Sequence, residues 1–178
     1  WRAPAGLRGR RSNRPEPPSA MGSKHRSPAM NTIQITRHCE GIRVSRAKLT
    51  ELIDHTCRRF GVKNATINVG IVDDDEITRL NREFLNHKGT TDCLSFDLSD
   101  KSPRQAGPVF DLIVNGEMAR RQAARRGHPT GAELALYVTH TLLHQLGFDD
   151  LDEKAAARMH RMEDEILQYF GYGTVYNT

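Results

Sequence analysis

Two histidines four residues apart inside an apolar helical pattern set the tightest constraint on what this chain can fold into. They lie in the run Thr139-His140-Thr141-Leu142-Leu143-His144-Gln145-Leu146-Gly147-Phe148-Asp149-Asp150. Residues i and i+4 of a helix stand one turn apart on one face, so both imidazoles can reach the same ion. Leu134, Leu136, Tyr137, Leu142, Leu143 and Leu146 make the helix apolar on most sides, which predicts a buried central helix that holds its ligands rigidly. Gly147 can enter the left-handed conformation that ends a helix, and the returning chain brings Asp150 towards the pair. We read His140, His144 and Asp150 as three ligands of one zinc-type ion with a fourth position open. The chain has eight histidines, so a packed helix face is the competing reading. The glycine three residues after His144 and the acid three further on weigh against it.

Charge has to be located before it means anything. The formal net charge is +4, yet seven of the 26 basic residues and one of the 22 acidic ones fall within residues 1–29. Residues 30–178 are therefore at −2, and nucleic-acid binding would need a local patch. Residues 1–29 are rich in Arg, Pro, Ser and Gly with few large aliphatics, which predicts a disordered basic tail. A transit segment, a flexible arm, or sequence upstream of a start at Met21 or Met30 would each account for it, the last being preferred. No apolar run approaches the ~18 residues that span a membrane. Three cysteines, Cys39, Cys57 and Cys93, have no close pairing motif, which points to core thiols, a reducing compartment and a cytoplasmic location.

From residue 30 onwards the pattern is that of one folded domain, 30–178. Ile33 and Ile35 alternate as in a strand, Leu49 to Phe60 share a helical face, and 65–72 reads as a second strand. Asp73-Asp74-Asp75-Glu76 suits the positive end of a helix reaching about Leu85. Cys93 to Phe96 is a third strand, Ser99 to Pro108 an exposed loop, and Val109 to Val114 a fourth strand, continuously apolar except for Asp111. A carboxylate there needs a partner. A basic helix follows, with Arg120, Arg121, Arg125 and Arg126. Thr130 and Glu133 have the form of a capping box that opens the histidine helix, and a last helix runs from Asp152 to about Phe170.

Three ligands with an open vertex make zinc a catalyst rather than a staple, its bound water acidified towards neutrality. Asp150 in place of a third histidine leaves about one unit less positive charge, so that water is somewhat less acidic than in an all-histidine site. The spacing also fits zinc peptidases of the long His-Glu-x-x-His signature, whose Glu takes the proton from water. Here that position is Thr141, which has no such basicity.

The run from His140 to Asp150 resembles the signature His-Gly-x-Leu-His-Leu-x-Gly-Tyr-Asp-His of the YbeY family of metal-dependent endoribonucleases. Leu80-Asn81 with Phe84, Thr91-Asp92-Cys93-Leu94-Ser95-Phe96 and Asp111-Leu112-Ile113-Val114 resemble three further family stretches, in order. The likeness covers about residues 31–173. It implies a single α+β domain, with a mixed β-sheet of about four strands flanked by helices and the metal-binding helix in the core. It further implies one Zn2+ per chain and cleavage of single-stranded RNA in 3′-end maturation of small-subunit (16S) rRNA and in ribosome quality control. The implied partner is the rRNA precursor on the ribosomal small subunit.

By motif position His140 and His144 carry over as ligands, and Asp150 stands where the family has its third histidine. Leu85 replaces an arginine suited to phosphate, so Lys88, Arg121 and Arg125 are the expected contacts to the RNA backbone. The attacking group, water or a 2′-hydroxyl, and the general base stay open, as do the cleavage site and the oligomeric state. A zinc peptidase is one alternative. Another is a non-catalytic ribosome-associated module whose metal is closed off by a fourth ligand such as His160 or His87.

Overall fold

Alternating β-branched residues build the first two strands, β1 (Thr32–Arg37) and β2 (Thr66–Val72). Helix α1 (Arg46–Arg59) carries the chain between them, so they pair in parallel. The computed structural model describes residues 30–100 and 107–175. The expected tail, 1–29, and the middle of the expected 99–108 loop lie outside them. Next come α2 (Asp74–Leu85), β3 (Cys93–Asp97), β4 (Val109–Asn115), α3 (Gly116–Arg126), α4 (Thr130–Gln145) and α5 (Glu153–Tyr169). The sheet order is β1-β2-β4-β3, with β4 parallel to β2 and β3 antiparallel to β4. The described residues thus form an α+β domain on a mixed four-stranded sheet, as expected, and the apolar β4 is an interior strand.

Period-two alternation assigns the helices to opposite faces of the sheet. Ile67, Val69 and Ile71 of β2 and Phe110, Leu112 and Val114 of β4 pack with residues of α1 and α4 in the main core. Val72, Leu94, Phe96 and Ile113 point the other way and meet Ile77 and Leu80 of α2. Helix α4 is enclosed: Leu134, Ala135, Val138, Leu142 and Leu143 are all fully buried. Cys39 and Cys57 are buried free thiols and Cys93 is partly exposed.

The start of α4 differs from the capping box expected at Thr130 and Glu133. Pro129 is the N-cap, without a side-chain cap bond. Glu133 instead turns into the α3–α4 interface, where its carboxylate meets Arg126 Nη1 at 3.1 Å and His128 Nε2 at 3.0 Å. The guanidinium of Arg126, with the His128 ring beside it, outcompetes the helix's own N–H for that side chain. His128 is accordingly only 11 % exposed. His55 likewise stacks on Tyr169 with ring centroids 4.6 Å apart.

The acidic run caps α2 as expected, Asp73 accepting from the Glu76 N–H at 2.9 Å. Asp74 does more. It accepts from Arg121 Nη1 at 2.6 Å and Nη2 at 2.9 Å and from the buried Asn115 Nδ2 at 2.7 Å, tying α2 to α3 and the end of β4. These bonds, that of Arg121 foremost, overcome partial burial and hold its pKa at about 2 against an ordinary 3.8. A carboxyl depressed on folding adds stability that is present above its unfolded pKa and is lost as pH falls through the folded one. The stability difference between wild type and Asp74→Asn, measured by urea titration, should therefore close between about pH 4 and pH 2. A difference that stays constant over that range would contradict the assignment.

Candidate metal centre

The end of α4 is shaped by a glycine. Gly147, at φ +88°, takes the left-handed conformation. Its N–H donates to His144 O at 3.0 Å and the Phe148 N–H donates to Leu143 O at 3.0 Å, the paired bonds of a Schellman turn. The turn also presents Phe148 O to the His144 ring, 3.1 Å from Nδ1. A carbonyl only accepts, so Nδ1 carries the hydrogen and the Nε2 lone pair faces away from the helix end.

His140 is oriented from another element. Its Nδ1 lies 2.7 Å from Oε1 of Glu163 on α5, whose side chain is fully buried. The other oxygen of Glu163 lies 3.0 Å from His160 Nδ1. Burial alone would raise the Glu163 pKa, but its hydrogen bonds to His140 and His160 outweigh that and lower it. Burial likewise works to lower the His140 pKa, and the bond to Glu163, with the charges of Glu163, Asp92 and Asp150, raises it instead. The ionised Glu163 therefore accepts the hydrogen bond of His140 Nδ1, and Nε2 is turned away from it towards His144.

The two Nε2 atoms stand 3.1 Å apart. Two imidazole nitrogens at that separation share either a proton or a metal. Ligands on one tetrahedral zinc at roughly 2.0–2.1 Å are about 3.3 Å apart, so the pair already has metal-binding spacing. Asp150 completes the group from the loop between α4 and α5, its Oδ2 4.0 Å from His140 Nε2 and its Oδ1 4.0 Å from His144 Nε2. That is about 0.7 Å beyond ligand spacing. Its side chain is 42 % exposed. Among the described residues the group able to hold an ion comprises His140, His144 and Asp150, and two imidazoles with one carboxylate suit zinc. Gln145 secures the neighbouring edge of the sheet by donating to Ser95 Oγ at 2.7 Å.

Of the residues expected to touch RNA, Arg121 and Arg125 stand one turn apart on α3 and Lys88 lies in the α2–β3 loop. Arg121 is bound to Asp74, Arg125 is exposed near the end of α3, and Lys88 is exposed in the α2–β3 loop. None of them lines the cavity of about 150 Å³ that reaches His140 and Glu163; Asp92, Gln122, Arg126 and Tyr137 do. Asp111 has its structural partner, accepting from Asn68 Nδ2 at 2.7 Å. Thr141 is 2 % exposed and its hydroxyl donates to the carbonyls of Tyr137 and Val138, so it faces the core and not the metal centre. Glu163 escaped the sequence reading. Its signal was a carboxylate set among Met159, Ile166 and Leu167 on the buried stripe of α5, a position that demands a partner.

A family model described as Endoribonuclease YbeY matches residues 34–171. The chain belongs to the YbeY family. Membership places it among the nuclease hydrolases, and the matched span contains His140, His144, Asp150 and Glu163. A YbeY endoribonuclease of Persephonella marina is 28% identical over 141 residues, covering 78% of this chain and 92% of that protein. One from Macrococcus caseolyticus is 36% identical over 117 residues, covering 61% of this chain and 74% of its own. A chloroplastic YBEY of Arabidopsis thaliana is 36% identical over 63% of this chain and 20% of its own length. The solution structure of a Thermotoga maritima protein shares this chain's fold, with TM-score 0.52 and 22% identity over 78% of this chain and 89% of that one. Among the described residues no helix is long and apolar enough to cross a membrane.

Proposed function

We propose that residues 30–178 form a zinc-dependent endoribonuclease that cuts single-stranded RNA, with one Zn2+ held by His140, His144 and Asp150. Its substrate is the precursor of small-subunit (16S) rRNA, its role is 3′-end maturation and ribosome quality control, and its location is the cytoplasm. The observation that carries the zinc site is the convergence of two Nε2 atoms at 3.1 Å, each ring anchored through Nδ1. Family membership supports the RNA substrate.

When bound, the ion supplies Lewis-acid stabilisation of charge on the phosphoryl oxygens and activation of the attacking hydroxyl. The chain supplies position. Phe148 O and Glu163 fix the rings, and Asp150 contributes a negative ligand on the exposed side, where a strand of RNA can approach. Exposed Arg125 and Lys88 are proposed for phosphate contacts, with Arg121 shared with Asp74. The peptidase alternative loses support because residue 141 offers no base. The closed-shell alternative loses it because His160 is directed to Glu163.

The test is elemental analysis joined to cleavage of a labelled single-stranded RNA. About one zinc per chain is expected, with cleavage stopped by a chelator and restored by zinc. Undiminished cleavage by metal-free protein would overturn the proposal.

A further inference from the structure

We propose that Glu163 is the positioning residue of this metal centre and that His160 holds Glu163 in register, so that α5 sets the tautomer and aim of His140. The inference rests on the zinc reading given above.

The two histidine ligands are oriented by different means. His144 takes its direction from a backbone carbonyl, Phe148 O, within its own helix-ending turn. His140 takes its direction from a side chain 23 residues away, Glu163 Oε1 at 2.7 Å. An ionised carboxylate only accepts, so it selects the Nδ1–H tautomer and turns the Nε2 lone pair of His140 towards His144 and Asp150. A fully buried carboxylate is costly unless both oxygens are satisfied. The second oxygen receives its hydrogen bond from His160 Nδ1 at 3.0 Å. His160 and Glu163 lie three apart on one face of α5, so the pair is locally preset before α5 docks on α4. Unlike a simple core pair, the arrangement leads to an atom that would touch the metal. Its loss should appear in metal affinity as well as in stability.

Zinc dissociation constants, from competition with a chromophoric chelator, are to be measured for wild type, Glu163→Leu, Glu163→Gln and His160→Leu, with metal-free thermal melts alongside. Removing an outer-shell partner of a ligating histidine costs about 10- to 100-fold in metal affinity, and that is the loss expected for Glu163→Leu. Glu163→Gln keeps an oxygen that can accept from Nδ1 but carries no charge, so it should fall between Glu163→Leu and wild type. It also keeps the question open to measurement should the leucine variant fail to fold. His160→Leu should weaken binding several-fold, by letting Glu163 turn. If the Glu163 variants fold and bind zinc within about twofold of wild type, Glu163 does not position the ligand. If only His160→Leu matches wild type, the role given to His160 is wrong. If wild type itself takes up no zinc, the metal reading fails and this inference with it.

Discussion

Replacing His144 by alanine is expected to stop RNA cleavage while leaving the fold in place. The ring is 31 % exposed and its anchoring bond is to Phe148 O. The turn that ends α4 is built from main-chain bonds, Gly147 to His144 and Phe148 to Leu143, which alanine retains. A melting temperature within a few degrees of wild type follows. Loss of an outer partner of a ligand already costs about 10- to 100-fold, so loss of the ligand itself should lower kcat/KM by more than about a hundredfold. Initial rates on a labelled single-stranded RNA at saturating zinc, beside a circular-dichroism melt, would measure both quantities. A variant that keeps a tenth of the wild-type rate would argue that His144 is no ligand. Asp150→His offers a graded companion, since it returns one unit of positive charge to the centre and should shift the rate optimum to lower pH.

The local features were legible because they are written in local periodicities. The i, i+4 histidines, the glycine after them, the alternation of Ile33 and Ile35, and the acidic run before Ile77 each depend on neighbours within one or two turns. The α4 terminus, the strands and the α2 cap followed from them. What was hidden depends on residues far apart in sequence. Asn115 is fully buried, caps α3 through Met118 N and donates to Asp74, 41 residues away. Glu163 meets His140 across 23 residues. The capping-box pattern misled for a different reason: Arg126 and His128 are near in sequence, but they lie on the preceding helix end and turn, outside the four-residue motif, and they draw Glu133 away from it.

That competition makes Arg126 the second position where a large effect is expected. A run of four arginines on a short helix reads as one solvated face, yet its members do different work. Arg121 meets Asp74 at the surface, with side chains 44% and 31% exposed. An ion pair of that exposure contributes about 0–1 kcal/mol. Arg126 meets Glu133, whose side chain is 1% exposed. Removing one partner of a buried pair costs about 3–5 kcal/mol, because the remaining charge has lost its water and its counter-charge together. His128 stays beside Glu133 and Arg126 is itself 31% exposed, so a smaller loss of about 2–3 kcal/mol is expected for Arg126→Met, which keeps the alkyl stem and deletes the charge. For a chain of this size that lowers the melting temperature by roughly 5–10 °C, while Arg121→Met moves it by no more than about 3 °C. Thermal melts of the two variants side by side check the contrast, and adding Glu133→Gln to Arg126→Met should recover part of the loss by removing the stranded charge. Equal shifts for Arg121→Met and Arg126→Met would mean that Glu133 draws its compensation elsewhere. The position also bears on activity, because Arg126 and Glu133 line the cavity that reaches His140 and Glu163. An unpaired Glu133 there would loosen the α3–α4 interface behind the helix that carries both histidine ligands.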